Sequence, residues 1–64
     1  SDIGVGILLL KAALNSAYLN VLINVNSIND DEYVNDIKKK AKSLLIIGNE
    51  KADKTYDKVL EIML

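Results

Sequence analysis

Apolar and polar positions divide this 64-residue chain into two unequal parts. From Asp2 to about Val25, Ile, Leu, Val and Ala occupy nearly every side of a 3.6-residue repeat, which predicts one helix that is apolar all round. On a wheel of about 100° per residue, Asp2, Gly6, Leu9, Ala13, Ser16, Asn20 and Asn24 fall on one narrow strip of mostly small or polar side chains. Elsewhere only Lys11, Asn15 and Tyr18, at helical spacing, interrupt the apolar surface. A helix of this kind belongs in the middle of something larger. Its small strip invites a closely packed neighbour or a ligand.

Ser1 or Asp2 is suited to cap this helix. Gly4 and Gly6 follow within two turns, and a helical glycine costs about 1 kcal/mol against alanine, so close approach of another backbone is the expected reason. A phosphate-cradling turn is the rival reading of Gly4-Val5-Gly6. It is poorly supported, because Leu9 stands where a dinucleotide fingerprint needs glycine and no strand precedes it. Asn26-Ser27-Ile28-Asn29 ends the helix, since Asn and Ser compete locally for backbone hydrogen bonds.

Asn29 with Glu32 resembles a capping box, and Asp30, Asp31 and Glu32 suit the positive end of a second helix dipole. That helix is expected over about 30–64. Val34, Ile37, Ala41, Leu44, Gly48, Ala52, Tyr56, Val59 and Met63 step along it by threes and fours, the phase of one amphipathic seam. Asp36–Lys40 and Glu50–Lys54 stand at i, i+4 in the favourable order. Gly48-Asn49 is the one place where this helix could break, but the apolar phase carries across it and favours continuity. Leu44-Leu45-Ile46-Ile47 is apolar around a whole turn and calls for further neighbours. The predicted fold is all-α. It is a hairpin fragment of an antiparallel helical bundle, pairing a buried apolar helix over about 2–25 with the long amphipathic one.

Composition narrows the chemistry. The chain has no Cys and no His, which removes disulfides, the common zinc sites and His-assisted nucleophiles, so no metal is expected. A net charge of -1 argues against nucleic acid as a partner. Lys11, Asn15, Asn20 and Asn24 interrupt the first helix and argue against a membrane span. Below about 70–80 residues one core rarely supplies more than about 3–5 kcal/mol. The chain is therefore expected to be a fragment of a longer protein or to complete its core as a homo-oligomer.

Proton transfer would fall to carboxylates, lysines or tyrosines. Asp2, the only acid in the apolar part, is a candidate acid or base if desolvated; the plainer reading is a helix cap. Asn20 and Asn24, one turn apart, either bind a polar ligand or bond to a neighbouring helix. Ser16 lies on the same strip, and these three are the candidate substrate-binding residues. Lys11 and Asn15 would make a second polar edge, with Lys11 reaching solvent. Lys38, Lys39, Lys40 and Lys42 either attract a polyanion or form a solvated face balanced by the acidic first turn. Tyr18, Tyr33 and Tyr56 suit core or rim positions with one wet end.

Three segments carry a resemblance. Ser1-Asp2-Ile3-Gly4-Val5-Gly6, Ala17-Tyr18-Leu19-Asn20-Val21-Leu22-Ile23-Asn24, and Ser27-Ile28 followed by Asp30-Asp31-Glu32-Tyr33 resemble the C-terminal part of the formimidoyltetrahydrofolate cyclodeaminase and methenyltetrahydrofolate cyclohydrolase family. The resemblance is expected to run through the whole chain. It implies a dimerising all-α bundle, a tetrahydrofolate derivative as substrate without a metal, and a cytoplasmic enzyme. In family terms the chain would be the last part of a domain whose catalytic acid lies upstream of Ser1. Asp2, Asn20 and Asn24 match motif positions that line or support the site. Gly48 departs from the family's helix-forming residues. The competing class is a non-enzymatic helical module that self-assembles through its first helix, and a folate-independent enzyme fragment of similar build is a third reading.

Overall fold

In the computed structural model, which describes residues 2–64, two helices run antiparallel: α1 (Asp2–Val25) and α2 (Asp31–Met63). No strand occurs among the described residues. The short connection over 26–30 forces the helices to fold back on each other. It is held by Asn26 N donating to Leu22 O at 3.2 Å, Ile28 N to Val25 O at 3.0 Å, and Ser27 Oγ to Asn24 O at 2.9 Å. Capping by Ser1 lies outside the described residues, and Asp2 is already the first residue of α1.

The cap of α2 is Asp30, one residue later than the capping-box reading placed it. Its backbone is extended (φ -150°, ψ 94°) and Oδ1 accepts from Tyr33 N at 3.1 Å. An ionised carboxylate at this place both satisfies an orphan N–H and meets the positive end of the helix dipole, an advantage the neutral Asn29 lacks. Past this cap α2 continues through Gly48 and Asn49 without interruption. No glycine has positive φ, and Gly4 and Gly6 lie inside regular helix, so the phosphate-turn reading of this segment is overturned.

Packing follows a heptad-like seam. On α1 the buried or half-buried residues include Gly4, Ile7, Lys11, Leu14, Tyr18, Val21 and Val25, alternating by threes and fours. On α2 they include Val34, Ile37, Lys38, Ala41, Leu45, Gly48, Asn49, Ala52, Tyr56 and Val59. Leu45 takes the place the sequence reading gave to Leu44, which is 67% exposed. The step of four from Ala41 keeps Leu45 over the seam, whereas the step of three turns Leu44 onto the flank. Met63, also expected in the seam, is exposed at the end of α2.

Two glycines explain the closeness of the helices. At Gly4 an added Cβ would lie 3.5 Å from Val59 Cγ1, an ordinary contact with α2. At Gly48 it would lie only 2.5 Å from Leu14 Cδ2, so Leu14 packs into a notch that the missing side chain leaves. Gly6 has nothing within 4 Å of its Cβ direction, so the expected close approach does not occur there within this chain.

The burial of α1 expected from its composition is supplied by this chain along the seam only. Ile3, Leu9 and Leu10 remain 67%, 66% and 71% exposed, and Leu19 and Ile23 are also open. By length and composition alone α1 is long and apolar enough to cross a membrane. The four interrupting polar residues do not by themselves take it below that limit.

Candidate functional site

The polar strip of α1 faces away from α2. Asn20 follows the seam residue Tyr18 by two positions, a rotation of about 200° that sets it on the opposite side of the helix. Asp2, Ser16, Asn20 and Asn24 are all exposed, as are Leu9 and Ala13 between them. Among the described residues the side chains of Ser16 and Asn20 make no hydrogen bond within the chain. At Asn24 the backbone carbonyl accepts from Ser27 Oγ while the side-chain amide stays available. The hairpin therefore does not use this strip for its own packing. Of the two readings of these amides, a polar ligand or a neighbouring helix, α2 is therefore not the helix in question.

Ser16, Asn20 and Asn24 form a ladder about 12 Å long at 1.5 Å rise per residue. Asp2 lies about 27 Å along the helix from Asn20 on the same arithmetic, so the two cannot meet at one reacting atom. The strip is convex and needs a second wall before it can enclose a ligand. Asp2, in the first turn of α1, stands where a carboxylate favours the helix dipole. Its exposure gives no support to a desolvated acid or base.

A second polar group crosses the seam. Lys11 Nζ donates to Asp53 Oδ1 at 2.6 Å, and Asn15 Nδ2 donates to Asn49 Oδ1 at 3.1 Å and to Lys11 O at 2.8 Å. Lys11 thus turns inward across α2 instead of reaching freely into solvent. Sequence reasoning marked Lys11 and Asn15 but not their partners. The available signal was two pairs of polar residues, each four apart, whose numbers add to 64 in both cross-pairs as antiparallel register requires.

The lysine cluster is distributed around α2. Lys40 Nζ pairs with Asp36 Oδ2 at 2.9 Å, in the i, i+4 arrangement expected. Lys39 borders an open hollow with Asp30, Glu32 and Asp36, so acids balance the cations and a concentrated polyanion site is not formed. Among the described residues no group of three His, Cys, Asp or Glu is placed to hold a metal. Shallow apolar grooves run beside the seam, one between Ile7, Leu10, Leu14 and Ala52, another between Ala17, Val21, Ala41 and Leu44.

Comparison with known proteins gives one match. Residues 1–43 fit the family model described as formiminotransferase-cyclodeaminase. That span takes in α1, the connection and α2 as far as Ser43. It contains all three segments that carry the resemblance. It is narrower than the expectation of a likeness through the whole chain, since 44–64 lie beyond it. No curated protein and no solved structure matches the chain.

Proposed function

Since the chain belongs to the formiminotransferase-cyclodeaminase family, we propose that it is the C-terminal portion of a larger helical domain acting on a formimino- or methenyl-tetrahydrofolate. In this reading α1 is a core helix of the domain and the strip Ser16–Asn20–Asn24 turns toward the folate. The observation that carries it is the free amide ladder on the face of α1 opposite α2, inside the matched residues. Amides there hydrogen-bond polar edges of a ligand and hold it in place. A cyclodeaminase closes the formimino group onto the folate and releases ammonia; a cyclohydrolase adds water to the methenyl bridge. Each needs a proton donor and acceptor beside the reacting carbon. We assign those roles upstream of Ser1 and leave Asp2 as a dipole-stabilising first-turn residue.

The open apolar sides of α1 fit the same reading, because large exposed apolar surface marks a place where another element packs. We place the upstream part of the domain there, with a second copy completing a cytoplasmic homo-oligomer. Neither a membrane nor nucleic acid enters the proposal. Lys11 is bonded to α2, and fifteen of the seventeen charged residues lie from Asp30 onward, so inserting the paired hairpin would bury many charges. The exposure of Ile3, Leu9 and Leu10 also fits a non-enzymatic module that self-assembles through α1.

Turnover separates the two. In the intact protein that carries this chain, methenyl-folate loss and ammonia release are followed with and without Asn20→Ala. Loss of one ligand hydrogen bond should lower kcat/KM by up to about tenfold, while Lys40→Ala leaves it unchanged. Equal, small effects would make the asparagines structural. No turnover by the intact protein would favour the self-assembling module. The 64-residue chain by itself should be inactive, and turnover by it would refute the assignment of the chemistry to upstream residues.

A further inference from the structure

We propose that Lys11, Asn15, Asn49 and Asp53, with the Leu14–Gly48 notch, form a clamp that selects one alignment of α1 against α2. A seam repeating every seven residues does not choose its own register. Sliding one helix by a heptad brings a new set of seam residues opposite each other with the same faces inward. Such a slide would move the strip Ser16–Asn20–Asn24 by about 10 Å along α2.

The polar pairs remove that freedom. In the observed alignment Lys11 meets Asp53 and Asn15 meets Asn49. Slid by seven one way, Lys11 would face Ile46 and Asn15 would face Lys42. Slid the other way, Lys11 would face Leu60 and Asn15 would face Tyr56. Neither gives the ammonium an acid. The notch adds a steric key. Leu14 packs where Gly48 has no Cβ, and the slides would set it over Ala41 or Thr55, whose side chains occupy that space. Lys11 is 37% exposed and Asp53 58%, so each contact is modest in strength. Their value lies in the difference between alignments, as for single polar residues in coiled-coil seams.

The α2 half of the clamp lies beyond the residues that match the family, while the α1 half lies within them. Residues 44–64 thus fix the height at which the matched helix stands. This holds whether or not α1 lines a folate site.

The chain has no cysteine, so introduced pairs report alignment cleanly. Gly4→Cys with Val59→Cys is the in-register pair, since the Cβ direction of Gly4 lies 3.5 Å from Val59 Cγ1. Gly4→Cys with Ala52→Cys reports a slide by one heptad. In the intact protein that carries this chain, with any cysteine outside the chain replaced, only the in-register pair should close a disulfide within one chain. In Lys11→Leu with Asn15→Leu, helix content by circular dichroism should be kept and slipped-pair closure should rise about tenfold relative to the in-register pair. Exchange of the charges, Lys11→Asp with Asp53→Lys, should restore the preference that Lys11→Asp alone weakens. The clamp is overturned if the leucine variant still closes only the in-register pair, or if the exchange restores nothing. The exchange decides the matter if the leucine variant is not helical.

Discussion

The three glycines offer the sharpest test of the packing, because all sit in regular helix and differ only in what surrounds them. Replacing a helical glycine by alanine contributes about 0.8–1.0 kcal/mol through backbone entropy alone. Gly6 is open, so Gly6→Ala should return that full amount. At Gly4 the new methyl would meet Val59 Cγ1 at 3.5 Å, so the gain remains and a little apolar burial joins it. At Gly48 the methyl would stand 2.5 Å from Leu14 Cδ2, closer than atoms tolerate. The obstructing group is the tip of a flexible side chain, with a groove beside it toward Ile7 and Leu10. Leu14 can therefore yield, at about 0.5–1.5 kcal/mol for an off-rotamer torsion. The two effects nearly cancel. Urea or thermal unfolding by circular dichroism, at fixed chain concentration, should show Gly4→Ala and Gly6→Ala raising Tm by about 4–8 °C and Gly48→Ala leaving it nearly unchanged. In a Leu14→Ala background the obstruction is gone, and Gly48→Ala should recover its full gain. The difference is a coupling of about 1 kcal/mol in a double-mutant cycle. If Gly48→Ala stabilises as much as Gly4→Ala in the parent chain, Leu14 does not pack into the notch, and this part of the register argument fails.

Further outcomes follow from the caps and the cross-pairs. Asp30→Ala should destabilise by about 1 kcal/mol through loss of the bond to Tyr33 N, whereas Asn29→Ala should shift the urea midpoint far less; equal effects would restore Asn29 as the cap. Asp53→Ala should lower stability by about 0.2–1 kcal/mol, with the loss shrinking as salt is raised, because the pair with Lys11 is partly exposed. A loss that does not depend on salt would show that Asp53 acts through packing.

Both helices were legible in the sequence for a simple reason. The Asn-rich connection is a strong local signal, and the residues on either side of it hold one period without interruption. What periodicity could not settle was phase. Ala41 is followed by Leu44 and Leu45, either of which continues a pattern of threes and fours, and only the partner helix decides that Leu45 turns inward. The cap shows the same limit at shorter range. Asn29 and Asp30 are both good caps by residue type, and the backbone conformation at Asp30 chooses between them.

Lys11 is the most instructive case. In a sequence, a lysine among leucines reads as a side chain that escapes to water, because its own helix holds no acid near it. Its partner lies 42 residues away, on a helix whose register is known only once the hairpin is closed. The same reasoning works in reverse for Ser16, Asn20 and Asn24. Their spacing on one strip was readable at once, but whether α2 or something else met them was not. The structure places α2 on the far side of α1 from these residues and leaves them unpaired by it. A helix whose apolar sides and polar strip both remain open after α2 has docked is a helix with packing still to do. The folate assignment therefore needs a further partner of α1, although such a partner does not need folate: a second wall over the strip is what would turn a row of amides into a binding site.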